Sequence, residues 1–341
     1  MRTASLSADP SASQACHRLS QLIGNNACFI EQVNRIKRFA ACDARVLITG
    51  DTGTGKELFA QAVHYTSSRA SRPFVAVNCG AIPSELAENE LFGHVRGAYT
   101  SALHHRKGLV AEAEGGTLFL DDIDCLRLAT QATLLRLLQE GEYRPVGSNS
   151  MQRVNVRVIA ATNRNLLELS SCGDFRLDLY YRLNLLRLTL PSLRERREDI
   201  ALLAGHFLRR FALQTHSPAR ELAPDAVKKL LAHDWPGNVR ELQHVIERAV
   251  LLARGATLSA ADIEIECHPR EAPVPTDDSF QAAKARVIAK FERNYIEQLL
   301  ATSGGNVTQA AQAARKNRRA FFALMRKYDI DAEPYRAERA H

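Results

Sequence analysis

Three glycines, a lysine and a later pair of aspartates carry the first legible chemistry. In Gly50-Asp51-Thr52-Gly53-Thr54-Gly55-Lys56-Glu57 the glycines follow an apolar run, Val46-Leu47-Ile48-Thr49. Without side chains they let successive backbone N–H groups close around phosphate oxygens, and a following helix adds the positive end of its dipole. Lys56 supplies a cation for the β- and γ-phosphates of a nucleoside triphosphate. The strict pattern has Ser or Thr after the lysine as a magnesium ligand, whereas Glu57 stands here. The segment alone therefore leaves open a turn built only for geometry. Further on, Gly115-Gly116-Thr117-Leu118-Phe119-Leu120-Asp121-Asp122 reads as a buried strand ending in two acids. Asp121 suits magnesium held through water, and Asp122 suits orienting an attacking water. Either element alone is common; the two together point to a nucleoside triphosphate with Mg2+.

The elements that must position these groups follow from periodicity. Short apolar runs at Val46–Thr49, Phe74–Asn78, Thr117–Leu120, Val156–Thr162 and Leu185–Leu190 alternate with helical patterns, which predicts an α/β fold with a parallel sheet covered on both faces. From Asp199 the stripes Ile200, Leu203, Ala204, Phe207, Leu208, Phe211 and Val239, Leu242, Val245, Ile246, Ala249, Val250 predict a helical subdomain. His268 to Phe280, with three prolines, reads as a linker. Beyond it lie an amphipathic helix ending at Gly304-Gly305 and two short helices, Val307 to Ala314 and Arg318 to Tyr328. Asn317 is the N-cap candidate of the last, and Ala320, Phe321 and Leu324 are expected to face inward.

Charge supports this division. Residues 281–341 hold 12 Lys/Arg against 6 Asp/Glu, so six of the seven net positive charges sit in that fifth of the chain. A small basic helical module suits double-stranded DNA, with Asn317, Arg318, Arg319, Arg326 and Lys327 on the helix that enters the major groove; a helical bundle with a charged face is the plainer alternative. The seven cysteines lie scattered without a C-x-x-C pair, against a disulfide framework or a zinc site. No apolar run approaches a membrane span, and no membrane partner is expected; cytoplasmic is the simplest expectation.

Across about Cys28 to Ile330 the chain resembles the AAA+ bacterial enhancer-binding proteins, the sigma-54-dependent transcription activators. Asp51 to Glu57 is similar to the family's Walker A, where Glu after the lysine is usual. Phe74-Val75-Ala76-Val77-Asn78-Cys79 resembles the strand whose Asn78 restrains the Walker B acid. Gly97-Ala98-Tyr99-Thr100-Ser101-Ala102 matches the GAFTGA loop that touches sigma-54. Ala161-Thr162-Asn163-Arg164 resembles sensor I, with Thr162 and Asn163 reading the γ-phosphate. Phe175 to Leu183 resembles the arginine-finger segment, with Arg176 and Arg182 reaching a neighbouring subunit's ATP. Trp235-Pro236-Gly237-Asn238-Val239-Arg240-Glu241-Leu242 resembles sensor II, with Arg240 reporting nucleotide to the lid. Gly305-Asn306-Val307-Thr308-Gln309-Ala310-Ala311 is similar to the Fis-type DNA-binding domain.

The resemblance implies an ATPase using ATP and Mg2+, with Asp121 as the metal residue. It implies a homo-oligomer, a hexameric ring when active, that binds upstream DNA and remodels the sigma-54 RNA polymerase holoenzyme. With no receiver domain ahead of the ATPase, the resemblance implies control in trans, by a trans-acting regulatory protein or by the chain's own abundance, with a small effector acting directly as the alternative. The expected layout is a flexible N-terminal segment over 1–24, the ATPase subdomain over 25–195 and its helical lid over 196–266. A linker over 267–281, the helix-turn-helix domain over 282–330 and a tail over 331–341 follow. Five positions depart from the family: Asp122 where Glu is usual, Tyr99 for Phe, Ser101 for the second glycine, Arg315 for a turn Gly, and Ala320 for Thr. Asp122 predicts slower hydrolysis. With Ser101, it keeps open a second reading, a DNA-binding AAA+ regulator with impaired sigma-54 remodelling, acting sigma-54-independently or as a subunit beside a competent homologue. The terminal helix-turn-helix disfavours a chaperone or helicase.

Overall fold

A computed structural model of the chain describes residues 10–98, 104–265, 280–328 and 330–332. It divides into two units, 1–265 and 266–341, each with its own apolar core. In the first, the five apolar runs become five parallel strands: β1 (Val46–Thr49), β2 (Phe74–Asn78), β3 (Thr117–Asp121), β4 (Arg157–Thr162) and β5 (Leu186–Thr189). Their spatial order is β2-β3-β4-β1-β5. Strand alternation divides the side chains between two cores. Leu47, Leu118, Leu120 and Val158 pack on one face with Leu134, Leu138 and Leu179; Val46, Ile48, Phe119 and Ile159 pack on the other with Phe29, Ile36, Phe59 and Val63. Each such side chain contributes about 1.5–3 kcal/mol of burial.

All strands run the same way, so their C-terminal ends share one edge. The loop Gly50–Gly55, Asn78, Asp121 and Thr162 all lie there, the edge where parallel α/β sheets bind ligands. The register confirms the neighbourhood: Asn78 lies opposite Asp121, and Thr49 opposite Thr162.

Three helices, Glu198–Thr215, Pro224–Ala232 and Asn238–Leu251, form the lid. Their stripes close around Trp235, which is 1% exposed and donates Nε1–H to the Leu230 carbonyl at 2.9 Å. The segment 1–24, expected to be flexible, instead contains a helix, Pro10–Ser20, lying against the helix Lys56–Tyr65. Its Arg18 guanidinium stands 5.4 Å from the centre of the Tyr65 ring.

The second unit contains helices Phe280–Thr302, Val307–Ala313 and Arg318–Lys327. Gly304 and Gly305, at φ 57° and 73°, end the first helix. The Asn306 and Asn317 side chains cap the next two; Asn317 Oδ1 accepts the Ala320 N–H at 2.7 Å. Arg315 takes φ 50°, so the turn position where glycine is usual needs the left-handed conformation, at about 1–2 kcal/mol for a side-chain-bearing residue. One expectation fails. Ala320 is exposed and Leu324 only half-buried, while Met325 joins Phe321 in the core. A helical repeat starting from Phe321 returns to its own face at Met325 and turns Ala320 away. The linker expected over 267–281 lies outside the described residues up to 279, and the first helix begins at Phe280.

Candidate functional site

The loop after β1 turns through left-handed glycines, Gly53 at φ 79° and Gly55 at φ 99°, and Gly55 stands at the N-cap of the helix Lys56–Tyr65. Thr54 Oγ1 braces the turn by donating to the Asp51 carbonyl at 2.8 Å. Lys56 is 7% exposed, and its Nζ donates to the Gly50 and Asp51 carbonyls at 3.0 and 3.3 Å. Burial pushes this ammonium's pKa down, and the charges of Asp121 and Asp122 hold it up. Glu57 lies in the first helical turn, where its carboxylate accepts from Gln61 Nε2 at 3.0 Å.

Asp121 closes β3, and Asp122 follows with φ 50°, a left-handed conformation that Asp tolerates better than most residues. The tight turn lets the Asp122 N–H donate to Asp121 Oδ1 at 3.0 Å. Burial pushes the Asp121 carboxyl above the usual aspartate range, the Asp122 charge adds to the push, and Lys56 draws it back. Glu57 also pushes it up. Among the described residues no group of three or more ligating side chains gathers; Asp121 and Asp122 are a half-buried pair of repelling carboxylates, which fits Mg2+, an ion that takes one or two carboxylates and fills its shell with water and phosphate oxygens.

The sensor positions divide between two partners. Asn163 Nδ2 donates to Thr52 Oγ1 at 3.0 Å, tying the end of β4 to the phosphate loop. Thr162 Oγ1 instead donates to Asp124 Oδ1 at 2.6 Å and accepts the Arg164 N–H at 3.0 Å. Asn78 Oδ1 accepts the Ala81 N–H at 3.0 Å, so its carbonyl is occupied by the backbone; it and Asp122 Oδ2 lie 3.3 and 3.6 Å from where a Cβ on Gly80 would stand.

The lid closes directly on the loop. The Val239 N–H donates to the Gly53 carbonyl at 3.1 Å, and a Cβ on Gly53 would stand 2.2 Å from the Gly237 oxygen and 3.1 Å from the Arg240 Cβ. Arg240 is therefore at the loop, as the resemblance implies. Asn238 is the residue that sequence reasoning missed. It is 1% exposed at φ 53°, its Oδ1 accepts the Leu193 N–H at 2.7 Å and its Nδ2 donates to the Thr52 carbonyl at 2.9 Å. One side chain so joins loop, lid and the turn between them. Its position after Pro236-Gly237 was a usable signal, since Asn is favoured among non-glycine residues in left-handed turns. Asp124 was likewise legible as the third acid of Asp121-Asp122-Ile123-Asp124.

A cleft of about 670 Å3 opens from the loop between the Pro10–Ser20 helix and the lid, lined by Leu22, Ile23, Phe29, Thr54, Gly55, Glu57 and Val239 among others. Its walls mix these apolar side chains with Arg18, Arg196, His206 and Arg210, and apolar surface with basic groups beside a glycine loop suits a flat base with a phosphate tail. Arg176 and Arg182 lie elsewhere. Arg176 forks onto Asp178, Nε to Oδ1 at 3.1 Å and Nη2 to Oδ2 at 2.8 Å, and Arg182 is exposed in the last turn of the helix Leu177–Leu183. Of the expected sigma-54 loop, Gly97 takes φ 81° and Ala98 packs at Gly147, while Tyr99, Thr100, Ser101 and Ala102 lie outside the described residues. Among the described residues no helix is long and apolar enough to cross a membrane.

Comparison with known proteins gives the family and the fold. Residues 22–189 match the Sigma-54 interaction domain and residues 194–279 the AAA+ ATPase lid domain. The transcriptional regulatory protein GlrR of Escherichia coli (strain K12) is 45% identical over 316 residues, covering 92% of this chain and 69% of the relative. ZraR of Salmonella typhimurium is also 45% identical over 316 residues, 93% of this chain and 70% of the relative. The crystal structure of NtrX from Brucella abortus in complex with ATP superposes with a TM-score of 0.68 at 33% identity, over 94% of this chain and 73% of that one. The chain is an ATPase of the AAA+ class and belongs to the family of sigma-54-interacting transcriptional regulators.

Proposed function

We propose that the chain hydrolyses ATP to remodel the closed complex of sigma-54 RNA polymerase from a duplex DNA site bound upstream by its C-terminal unit. The observation that carries this reading is the convergence of Lys56, Asp121, Asp122, Asn163, Asn238 and Arg240 on one glycine loop, while Arg176, half-buried at the N-cap, and Arg182, exposed in the last turn, belong to a separate helix. A site without its own arginine fingers is completed by a neighbour, which calls for a ring, in this family a hexamer. The naming of GlrR and ZraR as transcriptional regulatory proteins supports the regulatory role.

The division of labour follows from the geometry. Backbone N–H groups of the loop and Lys56 hold the phosphates, and the cleft beside Leu22 and Ile23 holds the base. Asp121 would hold Mg2+, which when bound supplies charge neutralisation at the phosphate oxygens. Asp122 orients the attacking water, and Arg176 and Arg182 of a neighbouring subunit stabilise charge developing on the γ-phosphate. Asn163 and Asn238 both end on Thr52, one on its hydroxyl and one on its carbonyl, so a shift of Thr52 on phosphate loss reaches sheet and lid together. Arg318, Arg319, Arg326 and Lys327 supply the phosphate and base contacts of a helix-turn-helix.

The test is trapping of sigma-54 by ADP with aluminium fluoride, which imitates the transition state of hydrolysis. The reading expects a complex on native gels only with the mimic, lost in Thr100→Ala. A ring that binds the mimic but never sigma-54 would instead support the second reading, a DNA-binding regulator that does not remodel. Asp122 favours that second reading, because its carboxylate is one methylene shorter than the glutamate usual in the family.

A further inference from the structure

The last helix of the C-terminal unit presents an aromatic ring that neither packing nor phosphate binding uses. Phe321 and Met325 are buried at 1% and 3%, yet Phe322 between them is 50% exposed. The helical repeat turns Phe322 about 100° from Phe321, outside that core, with Arg319 three residues before and Arg326 four residues after on the same exposed side. Arg326 holds its guanidinium 5.9 Å from the centre of the Phe322 ring. Arg318, Arg319, Ala323 and Arg326 are all exposed, and the helix Arg318–Lys327 carries no acidic residue. A half-exposed phenyl ring beside the Arg326 guanidinium, on a helix rich in exposed arginines, is suited to a polyanion that also offers an apolar group at the same depth.

Duplex DNA has one such group in its major groove, the C5 methyl of thymine. We infer that Phe322 reads thymine methyl groups, and that it is a specificity-determining residue of this helix while the arginines supply affinity to phosphates and guanine edges. The inference rests on the reading of the C-terminal unit as a duplex-DNA-binding module and deepens it. A phenyl ring has no hydrogen-bonding atom, so its discrimination comes from apolar contact alone. It will therefore be insensitive to salt, whereas the arginine contributions will not be.

The test separates the two. The full chain selects duplexes from a random-sequence pool, and the preferred duplex is resynthesised with deoxyuridine in place of every thymidine, a change confined to the C5 methyl groups. Affinity is expected to fall by about fourfold for each methyl group the ring covers. Phe322→Ala is expected to bind the two duplexes equally, with the salt dependence of the wild type. Equal wild-type binding of both duplexes overturns the inference while salt-dependent binding leaves the DNA-binding reading standing. Discrimination that persists in Phe322→Ala, or a variant that loses only self-association, also overturns it. No salt-dependent binding to any duplex would sink the DNA-binding reading and this inference together.

Discussion

Asn238 is the point at which loop, lid and connecting turn can be uncoupled by one substitution. In Asn238→Ala the Leu193 N–H loses its buried acceptor at 2.7 Å and the Thr52 carbonyl its donor at 2.9 Å. A buried backbone N–H left unpaired costs about 1–3 kcal/mol. Alanine at φ 53° adds about 1 kcal/mol, because its Cβ crowds the carbonyl in the left-handed region. The expected loss is therefore about 2–4 kcal/mol. Asn238→Gly loses the same hydrogen bonds without the conformational strain, and should recover roughly 0.5–1 kcal/mol relative to alanine. The assay is urea unfolding followed by the fluorescence of Trp235, the chain's single tryptophan, which is buried in the lid three residues away. Both variants should also raise the KM for ATP, since Thr52 loses the lid's hold. A loss below about 0.5 kcal/mol in both variants, or alanine more stable than glycine, would refute the reasoning.

Three further outcomes follow from particular residues. Asp122→Glu should raise turnover by roughly tenfold by returning the carboxylate to reach of its water, measured as phosphate release, and cost up to about 1 kcal/mol because glutamate tolerates φ 50° less well. Arg176→Ala and Lys56→Ala should each be inactive alone, yet regain activity when mixed, at about one interface in four in a randomly mixed ring; mixtures as inactive as their components would contradict completion of the site by a neighbour. His64, fully buried with its Nδ1 2.8 Å from Thr117 Oγ1, has its pKa lowered to about 4, first by burial and then by the charges of Arg157 and Arg69. Its folded pKa lies below the unfolded value of about 6.5, so its contribution is complete above that pH and is lost as pH falls toward 4. Thermal midpoints across that window should fall less steeply in His64→Gln than in the wild type.

The sheet was legible because its strands are short, apolar and separated by helices, and because the glycine loop after β1 and the acids ending β3 occur in one chain. Lys56, Asp121 and Arg240 lie together at the loop after β1. What stayed hidden were contacts made by neutral side chains over long sequence distances. Asn238 lies 186 residues from the Thr52 carbonyl it holds, and no periodicity or charge marks such a pair. The Pro10–Ser20 helix was missed because its sequence, PSASQACHRLS, is weakly patterned and rich in serine, and tertiary contact with the helix Lys56–Tyr65 decides its state. Ala320 was misplaced by a single helical step of 100°, which the apolar pair Phe321-Phe322 made ambiguous: only one of two adjacent rings can face inward. Thr162 was expected to read phosphate directly, and the competing acceptor was Asp124, two residues beyond the pair on which the sequence drew attention.

The central claim is that ATP turnover at this site drives sigma-54 polymerase from the closed to the open promoter complex. Its most direct measurement is promoter opening in a purified system of the chain, sigma-54 holoenzyme and a supercoiled sigma-54 promoter, read by permanganate reactivity of thymines at the start site. The account predicts reactivity with ATP, none with a non-hydrolysable ATP analogue, and none for Lys56→Ala. Opening that proceeds without hydrolysis, or an Asp122→Glu chain that hydrolyses ATP rapidly and still opens nothing, would contradict it.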